Sequence, residues 1–136
     1  MNTKLLMAAS ALLMAVCGAA FLFVPHEILN YFGTPSAVAG VSVLFVQLAG
    51  ALLFGFAMMN WMAKTVLIGG IYARPLAIGN FTHFLIGALG LLKAAYAAQN
   101  SSAVWTFAVI YTIFAILFGI VFFTHPLKTN NAAQND

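Results

Sequence analysis

Residues 5 to 24 read Leu5-Leu-Met-Ala-Ala-Ser-Ala-Leu-Leu-Met-Ala-Val-Cys-Gly-Ala-Ala-Phe-Leu-Phe-Val24, twenty positions without a charge, and Pro25 closes the run. A helix rises 1.5 Å per residue, so this stretch reaches about 30 Å, the thickness of a bilayer's hydrocarbon core. Three more such runs follow: Val38 to Met62, Pro75 to about Ala98, and Ala103 to Phe123, the last stopped by His125-Pro126. No segment alternates apolar and polar residues as a half-buried strand does. The expectation is an all-α fold, a single four-transmembrane-helix bundle over residues 1–126 with short connections. Residues 127–136 form a polar stretch that reads as a disordered tail.

Composition supports the same class. The chain is 64% hydrophobic and 5% charged, with a mean hydropathy of +1.04. Soluble domains carry roughly 25% charged residues, because a water-facing surface needs them. The formal charge of +3 comes from scattered lysines and one arginine, and no basic cluster points to nucleic acid. The lone cysteine, Cys17, rules out an intramolecular disulfide and any CxxC redox pair, and reads as a small buried hydrophobe. Lys4 ahead of an apolar run, with Cys17-Gly18-Ala19 behind it, also has the look of a cleaved signal peptide. The run continues through Phe21-Leu-Phe-Val24, past the usual length of such a segment, so a retained first helix is the expectation.

Charge sets the orientation. Lys4 precedes the first run, Lys64 and Arg74 lie between the second and third, and Lys128 follows the fourth. In a four-span chain these three places share one side, and the opposite side has only Lys93, which can snorkel. The positive-inside rule then puts both termini in the cytoplasm. Trp61, Tyr72 and Phe123 fall at the inner boundary and Tyr31, Tyr96 and Trp105 at the outer one, where aromatic anchors belong. Between the first two runs, Pro25-His-Glu-Ile-Leu-Asn-Tyr-Phe-Gly33 reads as a short amphipathic segment on the outer surface. The inner connection, Ala63 to Arg74, is apolar enough to lie in the interface.

Lipid tails provide no hydrophobic drive for helices to associate, so close packing depends on small residues that let backbones approach. Each run has such a seam at alternating three- and four-residue spacing: Ala8, Ala11, Ala15 and Gly18; Gly40, Gln47, Gly50 and Ala57; Asn80, His83, Gly87, Gly90 and Ala94; Ala108, Thr112, Ala115 and Gly119. That spacing favours left-handed crossings near +20°.

The polar residues of the runs are the candidates for function. Asn80 and His83, at i and i+3, share a helical face. With Gln47 and Thr112 they form a candidate ligand-binding set. The competing reading is a hydrogen-bonded packing network. His83 alone of these titrates near neutrality. Asn60-Trp61 reads as a cap and interfacial anchor at the end of the second helix. Lys64 and Arg74 read as topology determinants or contacts to lipid headgroups, and Arg74-Pro75 as the start of the third helix, where proline is tolerated. His26-Glu27 lacks a third ligand and reads as plain surface.

Several chemistries are excluded. No helix centre carries Asp or Glu, which argues against carboxylate-based ion coupling. His26, His83 and His125 fall at three different depths, so no two flank a haem, and no Cys/His cluster resembles a zinc or iron–sulfur site. A Ser-His-Asp triad lacks a usable acid, and no glycine-rich loop follows a strand. No catalytic residue, metal or cofactor is expected.

Two stretches carry a family resemblance. The first helix ends in Gly18-Ala-Ala-Phe-Leu-Phe-Val-Pro25, followed by Tyr31-Phe-Gly33. The second reads Gln47-Leu-Ala-Gly-Ala-Leu-Leu-Phe-Gly-Phe-Ala57 and leads into Asn60-Trp61-Met-Ala-Lys64. This is similar to the DoxX-like group of small four-helix bacterial membrane proteins. The resemblance implies a four-helix fold and a bacterial inner-membrane location, and it brings no catalytic residues. Three functions are then in view. The leading one is a non-catalytic protein with a structural or interaction role, whose partners are the bilayer and other proteins or copies of itself. The second is a small carrier or binding protein for an apolar or neutral ligand, lined by Gln47, Asn80, His83 and Thr112. The third is an accessory membrane subunit of a redox complex.

Overall fold

The computed structural model describes residues 3–32, 40–65, 74–97 and 102–124. Among the described residues are five α-helices and no strand: α1 (Thr3–Phe23), α2 (Pro25–Phe32), α3 (Gly40–Ala63), α4 (Arg74–Ala97) and α5 (Ser102–Thr124). All but α2 are long and apolar enough to cross a membrane, with mean hydropathies of 2.3, 2.1, 1.5 and 2.5. The chain is an all-α, multi-pass membrane protein. Its spans begin and end within two residues of the runs read from sequence. The agreement has a physical cause: in hydrocarbon every backbone polar group must be bonded within its own segment, which a helix alone achieves for an isolated run. Gly33, Tyr72, His125 and the tail at 127–136 lie outside the described residues.

Two compact units are present, residues 1–65 and 66–136. In the first, α1 and α3 run antiparallel, since Ser10 meets Asn60 near one end and Gly18 meets Gly50 further along. The glycine pair brings backbone against backbone. A Cβ on Gly18 would stand 2.8 Å from the Phe54 nitrogen, and one on Gly50 would stand 2.9 Å from the Gly18 carbonyl oxygen. The buried face of α1 is Leu6, Met7, Ser10, Ala11, Met14 and Gly18; that of α3 is Gly50, Leu53, Ala57 and Asn60. The expected seam thus holds at Ala11, Gly18, Gly50 and Ala57. Gly40 is exposed, with open space where a side chain would go.

The short α2 is continuous with α1 except at Val24. The Val24 N–H donates to the Ala20 carbonyl at 2.9 Å, and the Ile28 N–H donates to the Val24 carbonyl at 3.2 Å. Pro25 therefore ends the first span and opens the next helix, in the first-turn position where its missing N–H costs nothing. The amphipathic segment read between the first two spans is this eight-residue helix.

In the second unit, glycine makes room for rings rather than for backbone. Gly87 of α4 faces Tyr111 of α5, whose ring carbon would lie 2.7 Å from an added Cβ, and Gly119 of α5 faces the Phe81 ring at 3.1 Å. Between these contacts Phe84, fully buried, stacks on Phe114 at 4.8 Å and on Phe118 at 5.6 Å. At one end Tyr96 and Trp105 meet edge to face at 5.1 Å. The buried face of α4 is Ala77, Asn80, Phe84, Ala88 and Ala95. The expected seam through Asn80, His83, Gly87, Gly90 and Ala94 holds at Asn80 and at Gly87, with His83 half-buried beside them, and fails at Gly90 and Ala94, which are exposed. On α5 the expected seam holds at Ala108, Ala115 and Gly119, all buried, so small residues and the Phe84 ring together make the face at which α4 and α5 meet.

Candidate functional site

The polar centre of the first unit is Asn60. Expected as a cap and interfacial anchor at the helix end, it is fully buried. Its Nδ2 donates to the Ser10 hydroxyl across the helix pair at 3.1 Å and lies 3.7 Å from the Met14 sulfur. Ser10, also fully buried, donates in turn to the Met7 carbonyl at 2.9 Å. The two amide hydrogens thus have one hard and one soft acceptor, and the chain of donors ends on a backbone carbonyl. A serine that donates to a carbonyl, with no base beside it, is not an activated nucleophile. This cluster holds two helices in register.

Beside it, on one face of the same pair, lies an apolar groove of about 220 Å³. It is lined by the small Ala11, Ala15 and Ala57 and the larger Leu12, Phe54, Met58 and Trp61. Small residues inside the α1–α3 contact and large ones flanking it leave this hollow. At its Trp61 end the Lys64 ammonium rests over the indole, 3.0 Å from the ring centroid. Lys64 follows the last residue of α3, in a turn.

The remaining candidates are distributed over both units. Gln47 lies on α3, half-buried. Asn80 is fully buried on α4 and donates to the Leu76 carbonyl of its own helix at 2.9 Å. His83 is half-buried one turn away, its ring edge-on to Phe84 at 5.2 Å and tilted against Tyr111 at 5.7 Å. Thr112 donates to the Ala108 carbonyl at 2.7 Å, and Thr106 to the Ser102 carbonyl at 2.9 Å. Such i−4 bonds satisfy a hydroxyl inside hydrocarbon without a partner helix. Arg74 is the exposed first residue of α4, with Pro75 after it, as the sequence predicts. Among the described residues no three His, Cys, Asp or Glu side chains come together as a metal site.

Sequence reasoning passed over Ser10 and underrated Asn60. A signal existed: continuing the α3 seam from Gly50 through Leu53 and Ala57 by one further step of three lands on Asn60. The α1 face through Met7, Met14 and Gly18 likewise passes through Ser10. No family model, curated protein or solved structure matches the chain.

Proposed function

We propose that this chain is a non-catalytic protein of the bacterial inner membrane, with both termini in the cytoplasm. It acts through the surfaces it turns to lipid and to protein partners or further copies of itself. The observation that carries this is the direction of the hydrogen bonds within the spans. Ser10 and Asn60 join α1 to α3, while Asn80, Thr106 and Thr112 bond carbonyls of their own helices. Polar groups placed this way fasten and cap; they do not converge on a substrate. The placement of Lys4, Lys64, Arg74 and Lys128 supports the orientation, and the resemblance to DoxX-like proteins supports the location.

The test replaces Asn80 and His83 with leucine, singly and together, in the full chain. The expected result is altered thermal stability or assembly in detergent, with no specific defect in solute uptake or ligand binding by reconstituted vesicles. A specific transport or binding defect at unchanged stability overturns the proposal. Reporters fused to each terminus, active only in the periplasm or only in the cytoplasm, check the orientation: both ends must register as cytoplasmic.

A further inference from the structure

We propose that the groove on the α1–α3 pair binds one acyl chain of an anionic phospholipid, with Lys64 meeting the phosphate. This rests on the membrane-spanning reading and adds a ligand to it.

Three observations converge. The first is shape. The groove is lined by three alanine methyls and by Leu12, Phe54, Met58 and Trp61. From the level of Phe54 to that of Trp61 it runs about 10 Å along α3, at 1.5 Å per residue. A hollow of that length accommodates a stretch of hydrocarbon chain. The second is chemistry. The lining side chains are hydrocarbon, one thioether and one indole, whose N–H at the Trp61 end is their single polar group. A ligand with polar atoms along its length would lose their hydration there without replacement, whereas methylene groups lose nothing.

The third is charge. Lys64 stands at the Trp61 end, its ammonium held against the indole at 3.0 Å. The antiparallel register set by Ser10 and Asn60 brings Lys4, in the first turn of α1, to that same end. The one carboxylate among the described residues, Glu27, belongs to α2, which follows the opposite end of α1. An apolar groove with Lys64 at its end, Lys4 toward the same end of the helix pair and no carboxylate beside them among the described residues complements an amphiphile with an apolar tail and an anionic head. A zwitterionic lipid offers the same tail and phosphate, but its own cation offsets the phosphate charge. The anionic class is therefore the one selected.

The chain contains two tryptophans, so the groove can be watched directly. The full chain carrying Trp105→Phe is reconstituted in phosphatidylcholine vesicles. These contain a minor fraction of either acyl-dibrominated phosphatidylglycerol or acyl-dibrominated phosphatidylcholine, and quenching of Trp61 is measured. Phosphatidylglycerol is expected to quench more strongly at equal mole fraction. Lys64→Gln is expected to lower that preference about fivefold. Ala15→Phe, which fills the groove, and Met58→Ala, which removes part of its wall without adding bulk, are each expected to lower it while Lys64 remains.

Equal quenching by the two lipids overturns the proposal. So does a preference that Lys64→Gln removes but both groove variants leave intact, since that is interfacial attraction without a groove. A companion chain carrying Trp61→Phe reports on Trp105. If Trp105 is quenched and Trp61 is not, protein covers the groove and this proposal alone fails. If neither is quenched, the membrane-spanning reading fails.

Discussion

Gly50→Ala and Gly55→Ala place the same methyl group on one helix five residues apart, and the structure assigns them opposite signs. At Gly55 nothing lies within 4 Å of the added Cβ, whereas at Gly50 it would meet the Phe21 Cβ at 2.8 Å, the Gly18 carbonyl oxygen at 2.9 Å and the Leu22 nitrogen at 3.0 Å. Two of those three atoms are backbone, so no rotamer change relieves the contact. Ordinary contact begins at 3.4 Å, so α1 has to retreat by about 0.6 Å. A gap of that size already forfeits a quarter or more of each neighbouring van der Waals contact along the seam. It also stretches the Asn60–Ser10 bond beyond its present 3.1 Å. Overpacking of this kind costs about 1–3 kcal/mol, which outweighs the gain of about 1 kcal/mol that alanine brings to a helix over glycine. At Gly55 only the gain remains. Gly50→Ala should therefore unfold at a lower fraction of SDS in mixed micelles, followed by far-ultraviolet circular dichroism, and Gly55→Ala at an equal or higher fraction. Because the Gly18 and Gly50 backbones share one contact, adding Gly18→Ala to Gly50→Ala should cost less than the sum of the two. If Gly50→Ala proves as stable as Gly55→Ala, the close approach of α1 and α3 at this point is wrong.

Three further outcomes follow from the same packing. A double-mutant cycle of Ser10→Ala and Asn60→Ala should return a coupling of about 0.6 kcal/mol and not above about 1.7, the range for hydrogen bonds between membrane helices; zero coupling in the SDS titration would deny the bond. Phe84→Ala removes the buried ring on which Phe114 and Phe118 stack and should cost about 3–5 kcal/mol, while Leu89→Ala, at an exposed position of the same helix, should change stability by less than about 0.5 kcal/mol. Thr112→Val keeps the shape and loses only a bond to its own helix, so its midpoint should match the parent within about 0.5 kcal/mol; a larger loss would mean that the hydroxyl serves a second group.

The four spans were legible from the chain alone because the thickness of hydrocarbon is a local, one-dimensional constraint. Twenty uncharged residues from Leu5 to Val24 meet it whatever surrounds them. The start of α4 at Arg74-Pro75 was legible for a similar reason, since proline's fixed φ and missing N–H act within one turn. Which face of each helix turns inward was only partly legible. In a soluble helix the inward face is the apolar one, but here lipid is as apolar as the interior, so Leu52, Ile86 and Leu89 face outward without a signal in the pattern. Small-residue spacing then had to serve alone. It succeeded at Gly18 and Gly50, where backbones meet, and at Ala108, Ala115 and Gly119, which are buried. It failed at Gly90 and Ala94, because Phe84 with Ala88 and Ala95 forms the inward face of α4 instead. Asn60 shows the same division: near a helix end, an asparagine serves equally well as a cap or as a buried bond. Only the antiparallel neighbour that brings Ser10 opposite it makes it the latter. Sequence by itself determined how many times the chain crosses and where. The tertiary structure decided which faces meet, because that choice depends on how side chains distant in the chain fit and bond to one another, as Ser10 does with Asn60 and Phe84 with Phe118, and not on apolar character alone.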